Sequence, residues 1–195
     1  MNVELLAITP NGEELVASAY GICTNKTVCL ENIAKWMNMG HLSPLEHISA
    51  TFLIEGISRA CLAQLTRHRL CSFSVASMRF ISAQNEGCVV PSSVEEAGYS
   101  DLFKEKVLLC HQAYYEMTEL KGIPKEDARM VLPLGTTTRL IMTANARQWL
   151  HVFSQRITPQ AQWEVRRLCM RIRAELMTEW PHIILGSMKK EADND

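Results

Sequence analysis

The chain has 195 residues, enough for one domain with a substantial core and too few for two full-sized ones. Hydrophobic residues make up 47% and charged residues 21%, with nine glycines and seven prolines, which excludes a disordered, collagenous or low-complexity chain. A net charge of −1 and an isoelectric point near 6.6 exclude a generally basic nucleic-acid binder, whose domain pI usually exceeds about 9.

Val3 to Thr9 has the pattern of a short strand, closed by a turn at Pro10, Asn11 and Gly12. Helices are predicted over Glu13 to Tyr20 and Leu30 to Met39, the second stopped at Gly40 by a left-handed cap. Ile48 to Glu55 is rich in β-branched and aromatic residues and predicts a strand, with a helix from Ile57 to about Arg67. Phe73 to Ile81 is expected to be extended, with Val75, Ser77 and Arg79 on one face and Ala76, Met78 and Phe80 on the core face. A long helix is predicted from Asp101 to Leu120, ended by Lys121 and Gly122, and then a strand from Arg139 to Ala144 with Leu140 and Met142 inward. Asn145 has the place of an N-cap, with Gln148 completing a capping box for a helix through Arg156. Thr158 and Pro159 are expected to open the last helix. Its stripe of Ala161, Val165, Leu168, Ile172 and Leu176 faces inward, and Arg166, Arg167, Arg171 and Arg173 form a solvated or salt-bridged face. The tail from Lys189 to Asp195 is expected to fray. With helices outnumbering separated strands, the class is α/β or α+β in a single unit without repeats or linkers.

No apolar run reaches the roughly 18 residues of a membrane span, and Met1 to Gly21 carries acids where a secretion signal carries Lys or Arg. A soluble intracellular protein is expected. Seven cysteines, an odd number without a CxxC, read as reduced thiols mostly in the core; no metal-ligand spacing is present.

The arginines are unevenly placed. Gly56 to Asn85 holds no acid and no lysine but Arg59, Arg67, Arg69 and Arg79; Ala128 to Trp163 repeats this with Arg129, Arg139, Arg147 and Arg156. Removing these eight charges from −1 leaves −9 on the rest of the chain. A rigid guanidinium fork suits bidentate grasp of phosphate, so the two stretches are expected to be parts of one site for a small polyanion. The alternative is that each arginine pairs with an acid or faces water. Neither GxGxxG nor GxxxxGK[ST] occurs, so the phosphate-binding loops of other nucleotide proteins do not apply. A Ser/His/Asp triad and a cysteine nucleophile are equally unsupported; Cys71 reads as a buried filler.

The densest motif runs Gln64-Leu65-Thr66-Arg67-His68-Arg69, then seven residues, then Ser77, Met78 and Arg79. It resembles the signature of flavin-dependent thymidylate synthases. Leu45-Glu46-His47, Glu126-Asp127-Ala128-Arg129 before Leu132-Pro133, Asn145-Ala146-Arg147, and Ala161-Gln162-Trp163-Glu164 after Arg156 agree with that family in order, over residues 43 to 180. The resemblance implies one such domain over residues 1–195, with a small sheet flanked by helices. It further implies a cytoplasmic homotetramer with active sites between subunits. Its reaction converts dUMP to thymidylate with FAD as hydride carrier, methylenetetrahydrofolate as carbon donor and NADPH as reductant, without nucleic acid, membrane or metal.

By position, the resemblance assigns dUMP to Gln64, Arg67, Val75, Ser77, Arg79, Arg129 and Arg156. It assigns FAD to His47, Ser49, Arg67, His68, Arg69, Asn145, Arg147 and His151, and the chemistry to Arg156, whose guanidinium stabilises negative charge as the pyrimidine is activated. Arg147 and His151, four apart, share a helix face. His68 between two cations is expected to stay neutral. Each residue also has a plain structural reading: Asn145 as a cap, His47 and His151 as partly buried histidines, Ser77 as a backbone partner. One departure stands out: many members carry Glu or Gln two residues before the motif serine, where this chain has Val75. Val75 leaves open a relative acting on UMP or dCMP, or an inactive flavin- or nucleotide-binding protein. A nucleic-acid module using the arginine stretches lacks the interleaved aromatics that stack bases.

Overall fold

The computed structural model describes residues 1–83 and 86–192. Its elements are β1 (Asn2–Ile8), α1 (Gly12–Thr24), α2 (Ile33–Asn38), β2 (Ser49–Ser58), α3 (Arg59–Leu65), β3 (Ser72–Val75), α4 (Ser92–Glu96), α5 (Ser100–Tyr115), α6 (Lys125–Ala128), β4 (Thr137–Asn145), α7 (Ala146–Arg156), α8 (Trp163–Glu179) and α9 (Pro181–Ala192). The four strands form one antiparallel sheet in the order β1-β2-β4-β3. Of the two expected classes, this is α+β. No helix among the described residues is long and apolar enough to cross a membrane.

The chain packs as two compact units, with β2 and β4 running from one into the other. The first comprises Met1–Asn2, Ile54–Arg67 and Ser74–Leu140; the second comprises Val3–Leu53, His68–Phe73 and the chain from Ile141. Within the first, Tyr114, Ala83 and Ala128 are buried together, with Met78, Met117 and Leu132 packed against them. α5 widens into a π turn at Glu116–Leu120 and stops before Gly122, whose φ of 66° suits a residue without Cβ.

The second unit is built around α7. Trp149 is fully buried, its ring edge-on to Phe52 at 5.5 Å and stacked on Phe153 at 6.1 Å, while its indole N–H donates to the Ala50 carbonyl at 3.3 Å. That combination sets α7 on β2 through a large apolar surface and one directional bond. The expected α8 stripe is buried at Val165, Leu168, Ile172 and Leu176. The Glu13 carboxylate, itself buried, accepts the Ile183 backbone N–H at 2.9 Å and meets His182 Nδ1 at 2.6 Å, satisfying the first turn of α9.

Several boundaries differ from expectation. Ile57 and Ser58 remain in β2: Ile57 is buried, and Ser58, still extended, caps α3 by accepting the Cys61 N–H at 3.0 Å. The extended stretch after Phe73 ends at Val75. Ala76 N–H donates to the Arg139 carbonyl, and Phe80 and Ile81 N–H then both turn back to the Ser77 carbonyl. The face shared by Val75, Ser77 and Arg79 is therefore lost, and Phe80 stands 79% exposed instead of facing the core. α8 begins at Trp163, because the Gln162 side chain accepts the Glu164 and Val165 N–H groups; Ala161 lies in the preceding turn and off the stripe. α9 was not expected. Pro181 opens it, and it runs through Lys189 to Ala192, where fraying was foreseen; residues 193–195 lie outside the described residues. All seven cysteines are free, but only Cys61, Cys71 and Cys169 are buried, and Cys23 and Cys29 are exposed.

α9 lies so close to α2 that a Cβ at Gly186 would sit 2.8 Å from Ala34 Cβ and 3.0 Å from its Cα. Gly186→Ala gains helix propensity but cannot be fitted without moving a helix, so it should lower unfolding free energy by about 1–2 kcal/mol in urea titration. An unchanged or raised midpoint would show that the two helices are not held at this distance.

Candidate functional site

β4 ends where α7 begins. Asn145 leaves the strand in extended conformation and its side-chain oxygen accepts the Gln148 N–H at 2.8 Å, the forward half of the expected capping box. Ala146 N–H meanwhile donates to the Ile48 carbonyl at 2.9 Å. These two bonds fix the phase of α7. Trp149, Val152 and Phe153 turn inward, and Arg147, Leu150, His151 and Ser154 share the opposite face.

That face lines a cavity of about 850 Å³ within the second unit. Asn145 and Gln148 join it from the start of α7, Met37 and Asn38 from α2, Leu42, Leu45 and Glu46 from the following turns, Leu70 from the motif loop and Ser187 from α9. The walls combine aliphatic patches with amide, imidazole and guanidinium groups, as sites for planar polar ligands do. Arg147 Nη1 is paired with the Glu46 carboxylate at the rim. His47 and Ser49 lie beside this edge, both exposed; Ser49 exchanges hydrogen bonds with Thr9.

His68 lies deeper, 6% exposed. Arg156 Nε donates to its Nε2 at 3.0 Å, and His151 packs against the ring at 6.1 Å with the planes at 77°. Burial first, then the charges of Arg156 and His151, lower the His68 pKa to about 4. The ring is neutral as expected, but the flanking arginines are not the cause. Arg69 is exposed. The nearby thiols are quiet: burial raises Cys71 to about 11, against a hydrogen bond from Gln148, and Cys169 to about 12, against the charge of Arg156.

The first unit holds the other expected residues. Arg79 Nε pairs with the Glu126 carboxylate at 2.6 Å, and Arg129 Nε donates to the Glu126 backbone carbonyl at 3.0 Å, so one residue ties both arginines. Ser77 accepts the Arg79 N–H at 3.3 Å. Arg67 is exposed; Gln64 and Val75 are half-buried. Arg59 was not singled out from its stretch. Its Nη2 donates to the Ala76 carbonyl at 3.2 Å and its buried Nε has no partner, while burial lowers its pKa, Glu86 opposes that, and Arg129 adds to it. The pairing of arginines with acids is thus realised for Arg79 and Arg147, and Arg156 from one arginine-rich stretch meets His68 from the other.

A family model described as thymidylate synthase complementing protein matches residues 4–182. A flavin-dependent thymidylate synthase of Geobacter sulfurreducens is 38% identical over 190 residues, covering 88% of this chain and 80% of the relative. One of Haloarcula marismortui is 39% identical over 175 residues, covering 76% and 70%, and one of Halobacterium salinarum is 36% identical over 233 residues, covering 93% of each.

The chain belongs to the flavin-dependent thymidylate synthase family. It is an enzyme of that family, a flavoprotein of nucleotide biosynthesis. The family resemblance assigned roles to Asn145, Arg147 and His151 and ran through Leu45 and Glu46 without assigning them one; the other lining residues it did not name. Leu150 and Ser154 follow from the same helical spacing. Met37, Asn38 and Ser187 carry no local signal, because they reach the cavity only through the packing of α2 and α9.

Above pH 6.5, its ordinary pKa, the His68 ring is neutral in both the folded and the unfolded chain. Between 6.5 and about 4 only the unfolded chain takes up the proton, so stability falls as the pH drops through that window. A 15N titration of the ring should give a midpoint near 4, and His68→Gln should flatten the slope of unfolding free energy over this range. A midpoint near 6.5 would remove both expectations.

Proposed function

We propose that this chain carries out the reductive methylation of dUMP to thymidylate, with FAD taken by the cavity on α7. The observation that carries the reading is that Asn145, Arg147 and His151, named for flavin by the family motifs, line one cavity of about 850 Å³, which lies in the upper part of the range for ligand sites. The residues fit such a cofactor: Met37, Leu42, Leu45 and Leu150 offer apolar surface for flat rings, while Arg147 and the amides offer donors for a pyrophosphate. FAD, when bound, supplies the hydride; methylenetetrahydrofolate supplies the carbon and NADPH the reducing equivalents. His47, Ser49, Arg67, His68 and Arg69 complete the flavin set on this reading.

Arg79 and Arg129 hold the nucleotide phosphate, with Gln64, Arg67, Ser77 and Val75 around the rest of it. Arg79 and Glu126 are both about half exposed, and such a pair contributes about 0–1 kcal/mol, little to set against a dianionic phosphate. Arg156 acts on the pyrimidine: its fixed positive charge stabilises the negative charge that develops as the ring is activated. The chain works as a cytoplasmic homotetramer whose active sites are shared between subunits. Leu70, Phe80 and Met130, each about four-fifths exposed, support burial against neighbouring copies.

Arg156→Ala should keep the flavin absorbance of the purified protein and reduce thymidylate formation by about 100–1000-fold, the usual loss of one preorganised charge-stabilising donor. Unchanged turnover would defeat the assignment. Val75 favours a second reading, in which UMP or dCMP is the substrate, because valine offers no polar side chain to discriminate sugar or base. With dUMP, UMP and dCMP compared on one preparation, dUMP should have the highest kcat/KM by a wide margin; preference for either other nucleotide would establish the second reading.

A further inference from the structure

Arg59 has no part in the functional reading above. It opens α3 and is fixed by its backbone: its N–H donates to the Thr136 carbonyl, and that of Ala60 to the Leu134 carbonyl, each at 3.1 Å. From that base its Nη2 donates to the Ala76 carbonyl at 3.2 Å, across 17 residues of chain. The Ala76 N–H donates in turn to the Arg139 carbonyl of β4 at 3.0 Å. Both main-chain polar groups of Ala76 are therefore held from outside its own segment.

The turn that follows closes on itself. The N–H groups of Phe80 and Ile81 return to the Ser77 carbonyl at 3.1 and 2.9 Å, and Arg79 N–H donates to Ser77 Oγ at 3.3 Å. Those bonds define the shape of the turn but not where it stands on the sheet. At its far side Lys125 Nζ reaches the Phe80 carbonyl at 3.4 Å and Glu126 meets Arg79, both exposed contacts that water weakens.

We propose that Arg59 is a positioning residue for the nucleotide phosphate: by clamping the Ala76 carbonyl it sets the turn so that Ser77 and Arg79 meet a phosphate held by Arg129. This rests on the reading that Ser77, Arg79 and Arg129 take the phosphate of dUMP. The cost borne at Arg59 points the same way. Its buried Nε has no hydrogen-bond partner, which packing alone does not require, since an aliphatic side chain could fill the place. What the guanidinium adds is a charge-assisted, directional bond to one carbonyl. The charged groups that act on it are Glu86, which offsets its burial, and Arg129, so the clamp also adds to the positive field around Arg129.

The test uses the flavin-loaded protein and its Arg59→Met, Arg59→Gln and Arg59→Lys variants. It reads dUMP affinity by calorimetry, deoxyuridine affinity by ligand-detected NMR, and amide exchange at Phe80 and Ile81. Arg59→Met should raise the Kd for dUMP about 10–100-fold, the loss of one hydrogen bond from a charged group, with kcat at saturating dUMP little changed. The Kd for deoxyuridine, which has no phosphate, and the flavin absorbance should stay as in the wild type, and exchange at Phe80 and Ile81 should quicken. Arg59→Lys, whose ammonium can donate to the same carbonyl, should recover most of the affinity. If Arg59→Met does not fold, Arg59→Gln carries the same expectations. Equal losses for dUMP and deoxyuridine, unchanged dUMP affinity, or unaltered exchange beside weakened dUMP binding overturns this inference alone. Wild-type dUMP affinity in both Arg79→Ala and Arg129→Ala overturns the phosphate reading and this inference with it.

Discussion

The Asn145 cap is the constraint on which the second unit depends. A strand that runs on by one residue, or a helix that starts one residue late, turns every side chain of α7 by about 100°. Trp149 would then leave its place between Phe52 and Phe153, and Arg147 and His151 would leave the cavity. The bonds Gln148 N–H to Asn145 and Ala146 N–H to Ile48 prevent this by giving the first helical donors defined acceptors. One junction therefore places the core tryptophan, the cavity wall and, at the far end of the same helix, Arg156.

Charge in this protein is handled in two ways. Arg79 and Arg147 rest on carboxylates in half-exposed pairs, arrangements that water and salt already weaken and that a phosphate can replace. Arg156, partly buried, donates through Nε to the buried ring of His68. The carboxylate pairs suit groups that bind and release; the bond to His68 gives the Nε edge of Arg156 a fixed direction.

The sequence made some of this legible and not the rest. The cap at Asn145, the inward face of α8 and the stop at Gly40 were readable because each is set by neighbours within a few residues. The turn at Ser77 was not. Alternating residue size from Phe73 onward mimics a strand, but the N–H groups of Phe80 and Ile81 bond to the Ser77 carbonyl within the segment. Pro181 was a readable helix start that the apolar run around it obscured. The family motif named residues on the α7 face, whereas α2 and α9 contribute to the cavity through contacts between helices about 150 residues apart, for which no local pattern exists. The contact of Arg156 with His68 was equally hidden, although both residues were named, since nothing in their spacing says that one accepts from the other.

The two buried thiols near these groups have a chemical consequence. Attack on peroxide or on an electrophile requires a thiolate, and burial holds Cys71 at about 11 and Cys169 at about 12. At neutral pH both sulfurs are almost wholly protonated, so this region is built to tolerate oxidants without recording them as sulfenic acid.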